Sequence, residues 1–221
     1  MFLSQTYQNK RIAVYGLGAT GISVLKTLKK LNVKIFCWDD NPQVRKKLKK
    51  LNLKVNKFWL NYDKIDFIVL SPGIDIEKSK IKKYLKNNLK KVITDIDIFF
   101  DLNKNANIIS ITGTNGKSTT CKIIEKILKT AKFNVKTVGN IGNPILNKTS
   151  KRKIYYILEV SSYQLQYSNL FRSNHAAILN ISPDHLERHK NINNYVKIKS
   201  RLFYAQEKPD YSYINSLNKY S

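Results

Sequence analysis

The stretch Ile111-Thr112-Gly113-Thr114-Asn115-Gly116-Lys117-Ser118-Thr119 decides the fold class of this 221-residue chain. The apolar, β-branched run Ile108–Thr112 leads into it, and a helical pattern leaves it. Strand, glycine turn and helix in that order make a phosphate loop. The backbone amides of Gly113, Thr114, Asn115 and Gly116 form an anion nest. Lys117 can reach the outer phosphates of a nucleotide, and Ser118, followed by Thr119, can hold Mg2+. Ile111 stands where the usual spacing places a first glycine, so the flanking strand and helix carry the assignment.

The same order of elements occurs once more toward the N-terminus. Arg11–Tyr15 reads as a strand, Gly16-Leu-Gly18-Ala-Thr-Gly21 as a turn, and Ile22, Leu25, Leu28 and Leu31 recur at helical spacing. Val33–Trp38, Phe67–Leu70, Tyr155–Glu159 and Ala176–Asn180 are further strands, and Ile123, Ile124, Ile127, Leu128 and Ala131 make an apolar helix face. The Lys-rich segments 43–57 and 77–91 read as solvated surface helices and loops. Alternating strands and helices imply an α/β fold with parallel sheets covered on both faces. Two restarts imply two domains with a boundary near residues 95–105, placed at 1–98 (Rossmann-like) and 99–221 (phosphate loop). Asp101–Asn107 is the expected connector.

Composition narrows the function classes. Hydrophobic residues make up 42%, enough for a packed core. Two cysteines, Cys37 and Cys121, exclude a disulfide scaffold. No apolar run approaches a membrane span of about 18 residues, and the first ten residues lack a signal-peptide core, so a cytoplasmic protein without membrane insertion is expected. The net charge of +25 invites a nucleic-acid reading. Yet 34 of the 40 basic residues are Lys and only 6 are Arg, whereas base readout and phosphate forks favour Arg. The charge is also spread evenly along the chain. With 24 Asn and 26 Ile alongside, it reads as a composition bias, and no specific nucleic-acid partner is expected.

The first glycine turn, with Asp39 placed 18 residues after Gly21, taken alone points to a dinucleotide. Ser71-Pro72-Gly73 follows the third strand at the same sheet edge, where ligands of such sheets bind. In the second half, Glu159 ends a strand and is suited to bind Mg2+, directly or through water. His185 and His189 fall within five residues in Asn180-Ile-Ser-Pro-Asp-His-Leu-Glu-Arg-His189, with Arg188 between them. That clustering beside a nucleotide site marks His185 above all as functional. His175, before an apolar strand, reads as structural.

Together GLGATG, SPG, ITGTNGKSTT, GNIGNP at Gly139–Pro144, LEVSSYQLQ and NISPDHLERH resemble the Mur ligase family over roughly residues 8–207. The glycine-rich first domain and SSYQL resemble its D-glutamate-adding branch. Asn115 stands where alanine-adding ligases have His. The resemblance replaces the dinucleotide with the UDP part of a substrate. It implies contacts from Gly18, Ala19, Thr20, Asp39, Ser71, Gly73, Asn140, Ser161 and Gln164. Some relatives carry Thr and Arg where this chain has Asp40-Asn41.

The activity implied is ATP-dependent amide formation between UDP-N-acetylmuramoyl-L-alanine and D-glutamate through an acyl phosphate, by a monomer, in peptidoglycan precursor synthesis. Lys117, Glu159, His185 and Lys199 would be catalytic, the loop Gly113–Thr119 would bind ATP, and Ser118, Glu159, His185 and a carbamylated Lys199 would hold Mg2+. The family pattern Tyr-x-x-x-Lys, met from Tyr195, selects Lys199 over Lys197. Such ligases have three domains. The resemblance therefore makes this chain a UDP-substrate-binding first domain and an incomplete ATP-binding central domain without the glutamate-binding third, expected to bind UDP-substrate and, weakly, nucleotide but not to ligate. A folylpolyglutamate synthase-like ligase, which would begin near the GTNGKST element, and a non-enzymatic binding fragment are the alternatives.

Overall fold

A computed structural model describes residues 5–49, 55–60, 64–139, 144–147 and 154–220. The first half contains β1 (Arg11–Tyr15), α1 (Ala19–Leu28), β2 (Lys34–Trp38), α2 (Pro42–Lys49), β3 (Phe67–Leu70), α3 (Lys82–Asn87) and β4 (Val92–Ile93). Helix α4 (Asp95–Leu102) leads out of it. The second half contains β5 (Asn107–Thr112), α5 (Lys117–Thr130), β6 (Val135–Gly139), β7 (Tyr155–Glu159), α6 (Ser162–Leu165), β8 (His175–Ile178), α7 (Leu186–His189), α8 (Ile192–Ser200) and β9 (Tyr211–Ile214). The sheets run β2-β1-β3-β4 and β6-β7-β5-β8-β9, and every strand pairing is parallel.

Parallel strands need long crossovers and are covered on both faces, so they read as near-continuous apolar runs. Ile12–Tyr15 of β1 and Tyr156–Glu159 of β7 are buried without alternation. At the first turn α1 packs so closely that a Cβ on Gly21 would lie 1.9 Å from the Gly16 carbonyl oxygen. Only glycine permits that approach.

The structure differs from the sequence reading in three places. In α5, Cys121, Ile124 and Leu128 pack with Ile111, Val135 and Ile157, while Ile123 and Ile127 are exposed. The buried stripe follows i, i+3, i+7 from Cys121 rather than from the isoleucines. In the Lys-rich segment 77–91, Ile81 and Leu85 are buried with Phe58 and Ile68 on one face of the first sheet. Finally, Asp101 and Leu102 of the expected connector are helical.

Helix α4 begins with a capping box, the Thr94 amide donating to Asp97 Oδ2 at 2.7 Å. Its Ile96, Ile98 and Phe99 belong to one continuous apolar cluster. That cluster includes Ile12, Val14 and Val69 from the first sheet and Tyr156, Leu158 and Leu202 from the second half. Phe99 stands edge-on to Tyr156 with ring centroids 4.9 Å apart, a favoured aromatic geometry. No helix among the described residues is long and apolar enough to cross a membrane.

Candidate active site

Strands β1, β3, β5, β7 and β8 all end toward one cleft of about 550 Å3, the place where open parallel sheets hold ligands. Ala19, Thr20 and Pro72 line it from the first half. Gly113, Lys117, Ser161, Gln164, His185 and Lys199 line it from the second.

On the first side, Asp39 and Ser71 brace the glycine turn. Asp39 Oδ2 accepts from the Leu17 amide at 2.6 Å and Oδ1 from the Asn41 amide at 2.8 Å. The Ser71 hydroxyl donates to the Gly16 carbonyl at 2.7 Å. Gly18 and Gly73 border open space. Asn140 lies outside the described residues. At the departure Asp40-Asn41, Asp40 is absorbed into the fold, accepting from the Tyr15 hydroxyl at 2.5 Å and from Trp38 Nε1 at 3.0 Å. Arg45 lies over the Trp38 ring and donates to the Asp39 and Asp40 carbonyls, which brings a positive charge to this corner.

The phosphate loop is docked on the exit of β8. The Thr114 amide donates to the Asn180 carbonyl and the Asn115 amide to Asn180 Oδ1, each at 2.9 Å. Two of the four loop amides are thus engaged within the chain. The first-turn amides of α5, which have no intrahelical acceptor, and the Lys117 side chain are what the loop presents to an anion. Lys117 Nζ folds back over the loop, donating to the Gly113 carbonyl at 2.9 Å and the Thr114 carbonyl at 2.7 Å.

Ser118 Oγ donates to Glu159 Oε2 at 2.6 Å. Glu159 is buried at the end of β7, opposite Gly139 in the ladder. Lys199 is 1% exposed, whereas Lys197 on the same helix is exposed. Lys199 Nζ donates to the Gly113 carbonyl at 2.9 Å, the acceptor that Lys117 also uses, and lies 4.6 Å from the Tyr195 ring centroid. Burial, with the charge of Lys117 beside it, pulls the Lys199 amine down to about 7. His185 has a left-handed backbone, with Nε2 3.4 Å from Asp184 Oδ2, and its ring packs on Tyr163 at 5.0 Å. His175 is elsewhere, stacked on Tyr211 of β9.

The pair Ser118–Glu159 offers oxygen atoms beside Lys117, the ligand type that a hard cation such as Mg2+ selects. Among the described residues no three His, Cys, Asp or Glu side chains gather as a ligand set. The residues present therefore fit a cation that takes other ligands from phosphates and water.

Two groups at the site, Asn180 and Asp95, escaped the sequence reading of individual residues. Asn180 anchors the loop. Asp95, buried at the start of α4, lines the cleft and accepts from Gln164 Nε2 at 3.2 Å. Gln164 Oε1 in turn accepts from the Ser161 amide at 3.1 Å, so the Gln164 amide is oriented from both ends. Burial raises the Asp95 carboxyl to about 6. Arg188 reaches across to the first half, its Nη2 donating to the Ile74 carbonyl. For Asp95 the available signal was a pair of acids inside the apolar run Asp95-Ile-Asp-Ile-Phe-Phe100.

Residues 111–221 match the Mur ligase middle domain, and residues 10–93 match the Mur ligase MurD-like N-terminal domain. The chain is 39% identical over 218 residues to the UDP-N-acetylmuramoylalanine--D-glutamate ligase of Rickettsia bellii (strain RML369-C), covering 97% of this chain and 48% of that protein. To the protein of the same name from Wolbachia pipientis wMel it is 38% identical over 205 residues, covering 91% and 40%. The chain thus spans about half the length of the curated relatives it matches. Its fold is similar to that of the solved UDP-N-acetylmuramate:L-alanyl-gamma-D-glutamyl-meso-diaminopimelate ligase from Neisseria meningitides. That likeness has a TM-score of 0.58 at 15% identity, over 96% of this chain and 72% of the other. Each half of the molecule carries its own match, in the order in which the two glycine turns occur, and the chain belongs to the Mur ligase family.

Proposed function

We propose that this chain provides the UDP-substrate and ATP sites of an ATP-dependent ligase that adds D-glutamate to UDP-N-acetylmuramoyl-L-alanine in peptidoglycan precursor synthesis. The observation that carries the reading is the shared cleft. Ala19, Thr20 and Pro72 face it from the first half, and Lys117, His185 and Lys199 from the second. A carboxylate delivered on a UDP carrier and a phosphate delivered by the loop would therefore meet there. Residues 1–98 would hold the carrier and residues 99–221 the nucleotide. The 38–40% identity to Rickettsia and Wolbachia proteins of that name supports the substrate assignment. The reading places the chain in the cytoplasm, as a monomer.

In the first step the substrate carboxylate attacks the γ-phosphorus of ATP and ADP leaves, which produces an acyl phosphate. The D-glutamate amine then attacks the acyl carbon and inorganic phosphate leaves. Such phosphoryl transfer is mostly positioning and charge neutralisation. Lys117 would exchange its two loop carbonyls for the outer phosphates. Gly18, Ala19, Thr20, Asp39, Ser71 and Gly73, with Asn140, Ser161 and Gln164, would hold the UDP-linked substrate in register. One Mg2+ at Ser118 and Glu159, and a second cation at Glu159, His185 and Lys199 as a carbamate, would supply positive charge between two anions. An amine with its pKa near 7 is partly neutral at physiological pH, the form that takes up carbon dioxide. The carbamate so formed turns a repelling cation into an oxygen ligand.

Calorimetry on residues 1–221 tests the assignment with UDP-N-acetylmuramoyl-L-alanine, ADP with Mg2+, and NAD as three titrants. Binding of the first two and not of NAD is expected. Tight NAD binding without UDP-substrate binding overturns the reading.

A further inference from the structure

We propose that Arg188 is a positioning residue that locks the Ser71–Asp75 loop of the first half to the His185 loop of the second, and thereby sets the affinity for the UDP-linked substrate from outside the cleft lining. The inference rests on the reading of the cleft given above. The Arg188 side chain is 8% exposed. Nη2 donates to the Ile74 carbonyl at 2.6 Å, Nε donates to Gln166 Oε1 at 2.8 Å, and Nη1 lies 3.8 Å from Asp75 Oδ2. The guanidinium also lies 5.4 Å from the ring centroid of Tyr163 and 5.9 Å from that of Tyr167.

Two of these partners, Tyr163 and Ile74, lead to the site. Tyr163 packs on His185 at 5.0 Å and on His189 at 5.6 Å. On the opposite side, the Ile74 amide donates to the Ser71 carbonyl at 2.9 Å, and the Ser71 hydroxyl donates to Gly16 at 2.7 Å. An unbroken set of contacts thus runs from the first glycine turn through Ser71, Ile74 and Arg188 to Tyr163 and His185. The arrangement uses what distinguishes arginine: a planar fork whose separate N–H groups meet acceptors in different directions while its face lies on rings. A lysine ammonium presents its donors from a single nitrogen and does not span acceptors that the three guanidinium nitrogens reach separately.

The test uses Arg188→Ala and Arg188→Lys in the 221-residue chain, with Arg172→Ala as the control. Arg172 pairs with Glu207 and Asp210 inside the second half, so its loss perturbs stability away from the cleft. Four quantities are read: the thermal midpoint, the exchange rate of the Ile74 amide, and the affinities for UDP-N-acetylmuramoyl-L-alanine and for ADP with Mg2+. Loss of hydrogen bonds to a charged group predicts UDP-substrate binding weakened about tenfold in Arg188→Ala. Ile74 exchange should be faster, and ADP affinity within about twofold of the original. Arg188→Lys should recover little of the affinity, and it carries the comparison if Arg188→Ala does not fold. Unchanged Ile74 exchange and UDP-substrate affinity in both variants overturn the proposal, and so does an equal loss of affinity in Arg172→Ala. If the unaltered chain binds no UDP-substrate, the functional reading fails, while Ile74 exchange, which needs no ligand, still decides whether Arg188 locks the loop.

Discussion

Lys117 and Lys199 place two amines on a single acceptor, the Gly113 carbonyl. On the proposed reading Lys117 would exchange its loop carbonyls for phosphates, while burial and the charge of Lys117 discourage Lys199 from carrying charge. Lys117→Ala should therefore weaken ADP–Mg2+ binding by about tenfold or more, as for loss of a charged hydrogen bond. UDP-substrate affinity should stay near its original value, because the first glycine turn lies across the cleft. Calorimetry with the two ligands separates these outcomes. His189 makes a different prediction. It is buried, its Nε2 lies 3.0 Å from Ser162 Oγ, and Nδ1 has no hydrogen-bond partner among the described residues. Burial, with the nearby charge of Arg188, holds its pKa down to about 4. The unfolded chain takes up this proton near pH 6.5 and the folded chain only near 4, so stability falls as pH drops through that window. Thermal midpoints at pH 4.5 and pH 7.5 should accordingly differ less in His189→Gln than in the original chain.

At the level of elements, β6 and β7 approach each other closely at the site. A Cβ on Gly139 would lie 2.3 Å from the Glu159 carbonyl oxygen, and Gly139 has φ +114. Gly139→Ala should cost about 1–3 kcal/mol from backbone strain alone, read as a lowered urea midpoint. It should also weaken Mg2+-dependent nucleotide binding, because it displaces the strand end that carries Glu159. The strands that flank the site were legible in the sequence because buried parallel strands are β-branched and continuous; β1, β3 and β7 carry the bounds that their runs suggested. Strand β6 was not legible, since Val135-Lys-Thr-Val-Gly139 breaks its apolar run with Lys136. Neither was β9, whose four residues are all exposed. The chemistry-bearing loops were readable because a glycine turn between strand and helix is a local pattern. The contacts of Asp95 with Gln164, of Asn180 with Asn115 and of Arg188 with Ile74 were not, because these partners lie 65 to 114 residues apart. Periodicity holds no information about such pairs.

At the level of the whole molecule, one carboxylate ties the two sheets together. Asp97, fully buried on α4, accepts through Oδ1 from the Ser168 hydroxyl at 2.7 Å and from the amides of Asn169, Leu170 and Phe171 at 3.1, 2.8 and 2.9 Å. Oδ2 caps the start of its own helix at Thr94. The helix follows the first sheet and the 168–171 segment precedes β8, so the contact is a clamp between halves. Asp97→Ala would leave several buried donors without an acceptor, a loss of about 3–5 kcal/mol from a total that is typically about 5–15 kcal/mol. Apolar packing of Phe99 on Tyr156 would remain, so the expected result is uncoupling of the halves rather than general collapse. The two tryptophans, Trp38 and Trp59, both lie in the first half, so their fluorescence follows that half alone while far-UV circular dichroism follows both. In the original chain the two signals should change together with urea. In Asp97→Ala they should separate, with the lower midpoint marking the half that had relied on the clamp. Coincident curves at the original midpoint would show instead that the shared apolar cluster around α4 joins the sheets unaided.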